Sequence, residues 1–162
     1  MFQSQKYDGS LTRQYELLSK QLDALLTGEE DLIANLSNAT ALLNQFLSDV
    51  NWVGFYLWKG NELILGPFQG LPACVRIPYG KGVCGTTVKT RKTLRVEDVH
   101  QFPGHIACDA ASNSEIVIPL IKLKNNELLG VLDIDSPKKG RFTIEDQEGL
   151  ELFVKTLMNH LK

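Results

Sequence analysis

The residues with the clearest capacity for chemistry lie in one short polar segment, residues 104–115. It contains Cys108, His105, two acids and several small hydrogen-bonding residues, and it shows neither a helical nor an alternating apolar period. These features predict a loop. The loop leads directly into the apolar stretch 116–121, and reactive groups on a loop held by a rigid element are a common way to build a site. Two interpretations follow: a loop that presents a nucleophile, or a surface turn whose cysteine packs inward.

The chain has three cysteines, Cys74, Cys84 and Cys108, each beside glycine or turn residues. An odd count at wide spacing, without a C-x-x-C pair, predicts neither a disulfide framework nor a common zinc site. The spacing of His100, His105 and Cys108 also matches no established zinc pattern, so we expect no metal. The cysteines are then either small apolar residues or reactive thiols.

Two acids near the end of an apolar stretch, Asp133 and Asp135, alternate with apolar residues and therefore share one face of the predicted strand. Glu115 begins the preceding strand and joins them if the two strands pair. Partly buried carboxyl groups that lie side by side repel one another and need a cation or a shared proton. The pattern predicts either an acidic rim that attracts an ammonium group and supplies a general acid, or a strand end that has reached water.

Two further motifs flank these residues. Trp52 and Tyr56 are four apart on a predicted strand and share a face, where an aromatic pair is more often core than ligand cage. The glycines of 80–85 match the G-x-G-x-x-G dinucleotide fingerprint, but a short helix follows them and no βαβ succession appears. We interpret them as a tight turn whose N–H groups can hold a carboxylate, and we expect no cofactor.

Apolar periodicity predicts the elements that position these side chains. Two amphipathic helices are expected over 11–26 and 32–46, and a final helix follows Thr143, an N-cap with Asp146 three residues on. A tight turn over 79–85 is expected to open a short helix. The strand signals fall at 52–58, 62–68, 73–77, 94–96, 115–123 and 128–135. This order predicts an α+β fold, a mainly antiparallel sheet with the N-terminal helices and the C-terminal helix packed on one face.

Composition limits the classes of protein to consider. A chain of 162 residues that is 43% apolar suffices for a single domain over 1–162, with 1–17 as an N-terminal extension and the start of the first helix. A net charge of −2 with scattered basic residues argues against a nucleic-acid partner. The apolar runs are too short to span a membrane, and the N-terminus lacks the apolar region of a secretory signal. We expect a soluble cytoplasmic protein with no membrane partner.

Five motifs, in the order in which they occur along the chain, resemble those of the free methionine-R-sulfoxide reductases, which are single GAF domains. The resemblance runs from about Leu18 to the C-terminus, and the first fifteen or so residues fall outside it. The motifs are NWVGFY at 51–56, LGPFQG at 65–70, GVCGT at 82–86, the cysteine loop at 104–115 and GVLDIDS at 130–136.

The resemblance implies a thiol-dependent oxidoreductase that reduces free L-methionine-R-sulfoxide to methionine. Cys108 is the implied nucleophile and becomes a sulfenic acid, which a second thiol converts to an intramolecular disulfide. Cys74 is the implied main resolving residue and Cys84 an alternate, and spacing does not separate them. The family also implies thioredoxin as electron donor and a homodimer as assembly.

The resemblance also implies that Glu115 and Asp133 contact the substrate; we add Asp135 because it lies on the same rim. The substrate ammonium would sit among these acids, with Trp52 and Tyr56 around the S-methyl group. Which acid protonates the sulfoxide oxygen stays open. The alternative is a GAF small-molecule or redox sensor module without turnover. It is disfavoured because we expect no room for an output domain, and because a nucleophile with resolving thiols and acids exceeds what binding requires.

Overall fold

A six-stranded antiparallel sheet forms the centre of the protein in a computed structural model that describes residues 1–162. Its strands are β1 (Trp52–Lys59), β2 (Glu62–Gly70), β3 (Arg76–Pro78), β4 (Leu94–Val96), β5 (Ser114–Ile121) and β6 (Leu128–Ser136). Their order is β3-β2-β1-β6-β5-β4, and every neighbouring pair is antiparallel. The antiparallel sheet excludes the βαβ unit that a dinucleotide fingerprint requires.

Four α-helices accompany the sheet: α1 (Leu11–Leu26), α2 (Leu32–Phe46), α3 (Gly82–Thr90) and α4 (Ile144–Met158). Side chains cap three of their N-termini, with Ser10 at α1 and Asp31 at α2. At α4, Thr143 and Asp146 form the predicted capping box. The predicted bounds of α1 and α2 are confirmed because their apolar period and their caps agree.

The larger part of the core lies between one face of the sheet and helices α1, α2 and α4. Alternate residues of β1, such as Val53, Phe55 and Leu57, point into it. Tyr15 of α1 donates a hydrogen bond to Asp146 Oδ1 of α4 over 2.7 Å, which joins the two helices in the interior. The predicted α+β arrangement, with these helices on one face, is confirmed.

Helix α3 covers the opposite face of the sheet. Here the complementary set of alternate residues, including Trp52, Tyr56 and Val131, forms a smaller core with Val83 and Val88 of α3. Because this apolar cluster is small, polar side chains near the ends of β5 and β6 are free to line a cavity on the same face.

One predicted strand is shorter than expected. The strand predicted over 73–77 begins only at Arg76, because the segment before it leaves the sheet to bond with the Cys108 loop. The N-terminal segment lies on the helical layer, where the Tyr7 ring packs edge-on against Phe46 at 5.1 Å.

No helix has both the length and the apolar character to cross a membrane.

Candidate active site

One cavity gathers most of the residues singled out in the sequence. It lies between α3, the loop that contains Cys108 and the ends of strands β1, β5 and β6. Its lining includes seven of the eight predicted site residues: Trp52, Tyr56, Cys84, Cys108, Glu115, Asp133 and Asp135. The eighth, Cys74, follows the lining residue Ala73 directly. The structure therefore brings the predicted set together.

Three carboxyl groups form one buried wall of the cavity. Glu115 on β5 is paired with Asp135 on β6, and Val117 is paired with Asp133, so the three acids share a face. Their exposed fractions are only 6% for Glu115, 6% for Asp133 and 9% for Asp135. The predicted acidic cluster is confirmed as an arrangement, and the alternative of a strand end in water is wrong.

Burial shifts the protonation of these acids. Loss of hydration raises the pKa of Glu115 well above its ordinary value, and the charges of Asp133 and Asp135 raise it further. Burial likewise raises the pKa of Asp135, with the charges of Asp133 and Asp109 adding to the effect. Burial also raises the pKa of Asp133. The wall therefore favours either retained protons or a bound cation.

Cys84 completes this wall from α3. It is 4% exposed, and its thiol donates a weak hydrogen bond to Glu115 Oε1 at 3.9 Å. Burial and the charges of Asp133, Glu115 and Asp135 raise the pKa of this thiol well above its ordinary value. Cys84 is thus a free, protonated thiol in contact with carboxyl groups.

Cys74 and Cys108, which are 34 positions apart in the sequence, are joined by a disulfide with their Cα atoms 5.4 Å apart. Both are partly exposed. The interpretation of all three cysteines as inert reduced thiols is therefore wrong for this pair. The pairing implied by the family resemblance is the one found.

The loop that holds Cys108 is fixed by polar contacts to the ends of β1 and β6. Asn51 Nδ2 donates to Asp109 Oδ2 at 2.9 Å and to Ser112 Oγ at 3.1 Å. The Asn113 N–H donates to the carbonyl oxygen of Ser136 at 2.8 Å. Sequence reasoning did not single out Asn51 as a functional residue. The signal for it was a polar amide directly before an apolar strand, within the first motif of the resemblance.

Aromatic side chains lie beside the acids on the same face of the sheet, where Trp52 of β1 is paired with Asp135 of β6. The rings of Trp52 and Tyr56 stack with centroids 5.7 Å apart, and Trp52 also stacks on Phe68 at 5.2 Å. Gly54 makes this close packing possible, since a Cβ there would lie 2.8 Å from the Trp52 ring. Tyr56 donates a hydrogen bond to the Cys74 carbonyl at 2.9 Å. The two aromatics are therefore both buried core and cavity lining.

The N-terminus of α3 forms another side of the cavity. Lys81, Gly82, Val83 and Cys84 all line it, and no side chain caps this helix. Gly82 has φ +61°, and a Cβ there would lie 3.1 Å from Ile106 of the cysteine loop. The uncapped end combines free N–H groups with the positive pole of the helix, which suits an anionic group.

The histidines do not assemble into a metal site with Cys108. His100 Nε2 is hydrogen-bonded to Asn113 Oδ1 at 3.1 Å. The Cys108 sulfur is bonded to Cys74 and so is not a thiolate that could bind a metal. His105 lines the cavity, and its Nδ1 is buried without a partner. Burial, together with the charge of His100, lowers the pKa of His105.

The chain is similar in sequence and in structure to known proteins. The GAF domain pattern matches residues 31–161. The chain is 55% identical to protein YtsP of Bacillus subtilis over 97% of this chain and 96% of that protein. It is 56% identical to the free methionine-R-sulfoxide reductase of Escherichia coli over 90% of this chain and 87% of that one. The fold also matches the structure of fRMsr of Staphylococcus aureus in complex with substrate, with a TM-score of 0.87 and 54% identity, covering 98% of this chain and 100% of that one.

Proposed function

The chain belongs to the free methionine-R-sulfoxide reductases of the GAF domain family, and on this premise we propose how it reduces free L-methionine-R-sulfoxide to methionine. The observation that carries the proposal is the Cys74–Cys108 disulfide at a cavity lined by three buried carboxyl groups. In its reduced form this cysteine pair can donate two electrons, and the neighbouring carboxyl groups can donate a proton or bind a cation.

In the proposed first step the Cys108 thiolate attacks the sulfoxide sulfur. The sulfoxide oxygen passes to Cys108 as a sulfenic acid, so the substrate sulfur gains two electrons and the cysteine sulfur loses two. A sulfoxide oxygen is a poor leaving group unless it is protonated. One carboxyl of the Glu115–Asp133–Asp135 group, kept neutral by burial, supplies that proton.

In the second step a thiol attacks the sulfenic sulfur and water leaves, which produces a disulfide. We assign this resolving role to Cys74, because Cys74 is the residue bonded to Cys108. Cys84 is the alternate, but in this oxidised state it lies buried against Glu115. The structure corresponds to the protein after this step and before reduction.

The substrate is a free amino acid, and we propose a separate contact for each of its ends. The ammonium lies among the three acids, since a cation there would offset the cost of burying their charges. The carboxylate lies at the uncapped N-terminus of α3 beside Lys81. The stacked Trp52 and Tyr56 rings pack against the S-methyl group. A peptide-bound methionine lacks the charged ammonium and would be disfavoured.

A protein dithiol of the thioredoxin type is the proposed reductant. Its thiolate attacks one sulfur of the Cys74–Cys108 bond and then closes its own disulfide, which returns both cysteines to thiols. Three apolar residues near Cys74 are unusually exposed: Leu71 at 64%, Val75 at 60% and Tyr79 at 51%. A partner protein can cover them while it reaches the disulfide.

We further propose a cytoplasmic homodimer. A disulfide that must be reduced in every cycle needs a compartment that supplies thiol reductant. Exposed apolar side chains on the helices, including Leu11, Ile33 and Leu152, offer surface for a second copy. Light scattering of the purified protein tests this assembly, and a monomer at micromolar concentration would contradict it.

The decisive experiment measures NADPH consumption with thioredoxin, its reductase and either epimer of free methionine sulfoxide. We expect turnover with the R epimer only, and its loss in Cys108→Ser. N-acetylmethionine-R-sulfoxide serves as the matched control without an ammonium group, and its kcat/KM should fall at least tenfold. A folded, reduced protein that consumes no NADPH with either epimer would contradict the enzyme and favour a sensor module.

A further inference from the structure

We propose that Cys84, Glu115 and Asp133 form a binding site for one thiophilic divalent cation of the Zn²⁺ or Cd²⁺ class inside the cavity. The further inference that this cation competes with the amino-acid substrate rests on the function proposed above. Cation binding itself does not depend on that function.

The three side chains are already close to the geometry of a metal site. One ligand atom from each, the Cys84 sulfur and two carboxylate oxygens, lies within 4.8 Å of the others. Around Zn²⁺, with metal–sulfur near 2.3 Å and metal–oxygen near 2.0 Å, such atoms stand roughly 3.3–3.5 Å apart. Side-chain rotations that move the ligand atoms by about 1 Å would therefore bring all three within bonding distance of one ion. The ligands come from α3, β5 and β6, whose packing fixes their backbones.

An independent observation points to a ligand at this position. Asp133 is 6% exposed and lines the cavity, yet its Oδ1 has no hydrogen-bond partner. A buried carboxylate oxygen without a donor is costly, because this oxygen has lost its water and has no protein donor in its place. A cation at this oxygen removes that cost.

The surrounding charges favour a cation and do not already supply one. The other acids lining the cavity are Asp109 and Asp135, both of the same sign as Glu115 and Asp133. The basic side chains in the lining are His105, held neutral by its lowered pKa, and the exposed Lys81. The lining therefore supplies no buried cationic partner where Cys84, Glu115 and Asp133 meet.

The thiol decides which cation fits. Sulfur ligands select Zn²⁺ and its heavier relatives, whereas Mg²⁺ and Ca²⁺ prefer sites built only from oxygen. Three protein ligands leave a fourth position for Asp135 or water. On binding, the metal–sulfur bond replaces the S–H bond of Cys84, and the proton passes to solvent with no change of oxidation state. The bound cation occupies the acids proposed for the substrate ammonium.

The oxidised protein provides a clean test, because its Cys74–Cys108 disulfide leaves Cys84 as its one thiol. Titration with Cd²⁺ should produce the ultraviolet thiolate-to-metal charge-transfer band and saturate at one equivalent. Cys84→Ser should abolish the band and weaken Cd²⁺ binding by at least about 100-fold in competition with a chromophoric chelator, since loss of a supporting residue alone costs up to that much. A large excess of Mg²⁺ should not displace Cd²⁺.

Asp133→Asn provides a second variant should Cys84→Ser fail to fold, and it too should weaken binding at least tenfold. Asp8→Asn is the matched control, because its side chain is 76% exposed, and it should leave the affinity unchanged. Absence of the band in the wild-type protein, or affinity unaffected by both cavity variants, would overturn the proposal.

Competition with the substrate site is tested separately. Free methionine should weaken Cd²⁺ binding more than an equal concentration of glycine, which matches its capacity to chelate metal in solution. Cd²⁺ binding that needs Cys84 but responds equally to both amino acids would overturn the overlap of the two sites. The turnover assay contains no added metal, so failure of the enzyme and failure of the cation site remain distinguishable.

Discussion

At the scale of single residues, Asp135 reduces the stability of the fold. Its pKa is raised by burial and then by the charges of Asp133 and Asp109. The folded protein therefore holds this proton more tightly than the unfolded chain does. Binding of this proton therefore contributes to the stability of the folded protein. The contribution is fully present below the ordinary pKa of 3.8 and is lost as the pH rises from there through the raised pKa of the folded state. At neutral pH this carboxyl group is therefore a net cost to the stability of the fold.

We therefore expect Asp135→Asn to raise the free energy of unfolding at pH 7 by about 1 kcal/mol, the usual size for relieving one unfavourable group. The difference from wild type should shrink as pH is lowered toward 4. Urea unfolding in the presence of EDTA measures it, with Asp8→Asn as the exposed control. A difference that is the same at every pH would show that this charge is not responsible. The kcat/KM should fall, because one contact to the ammonium is lost.

Cys74 provides a second prediction at the same scale. Cys74→Ser should still release about one methionine per protein in a single-turnover experiment, because attack by Cys108 needs no resolving thiol. Its steady-state kcat with thioredoxin should fall at least tenfold. Quantification of methionine after rapid quenching measures both. Cys108→Ser should release none, and absence of the first methionine from Cys74→Ser would contradict the assigned roles.

At the scale of elements, the loop that carries Cys108 depends on its connection to the start of β1. Asn51→Ala removes the amide that donates to Asp109 and Ser112. We expect a loss of stability of about 2 kcal/mol, since two hydrogen bonds of about 1 kcal/mol each are lost. We also expect kcat/KM to fall about tenfold, because the nucleophile is less well positioned.

Hydrogen exchange distinguishes this positioning role from a general weakening of the fold. Amides of residues 106–113 should exchange faster in Asn51→Ala, whereas those of β5 and β6 should not. Asn38→Ala, on the exposed side of α2, is the matched control. Uniform acceleration across the sheet would indicate a purely structural role for Asn51.

At the scale of the whole molecule, the redox cycle takes the protein between an oxidised and a reduced state that differ in stability. The disulfide joins positions 34 residues apart, and closing a loop of this length restricts the unfolded chain by about 3–4 kcal/mol in the chain-entropy account. Reduction should therefore lower the Tm on the order of 10 °C. Calorimetry with and without a thiol reductant measures the change. Cys108→Ser should show no dependence on reductant, and equal Tm values for the two wild-type states would contradict the prediction.

The elements that the sequence predicted best are those whose period and end signals agree. The bounds of α1 and α2 follow from apolar stripes with caps, and the shared face of Glu115, Asp133 and Asp135 follows from alternation along two paired strands. The strand predicted over 73–77 was too long at its start. Its alternation is real, but a covalent bond to a distant loop outweighs the few ladder hydrogen bonds it could add.

The sequence by itself determined the chemical inventory, the α+β class and the face of the sheet to which each acid belongs, because alternation along a strand is a local property. Only the tertiary structure decided which thiol pairs with Cys108. A disulfide requires Cα atoms roughly 4.4–6.8 Å apart, and that distance depends on how the segment before β3 leaves the sheet edge. Cys84, nearer to Cys108 in sequence, is directed by α3 into the acidic wall, where burial keeps it a thiol.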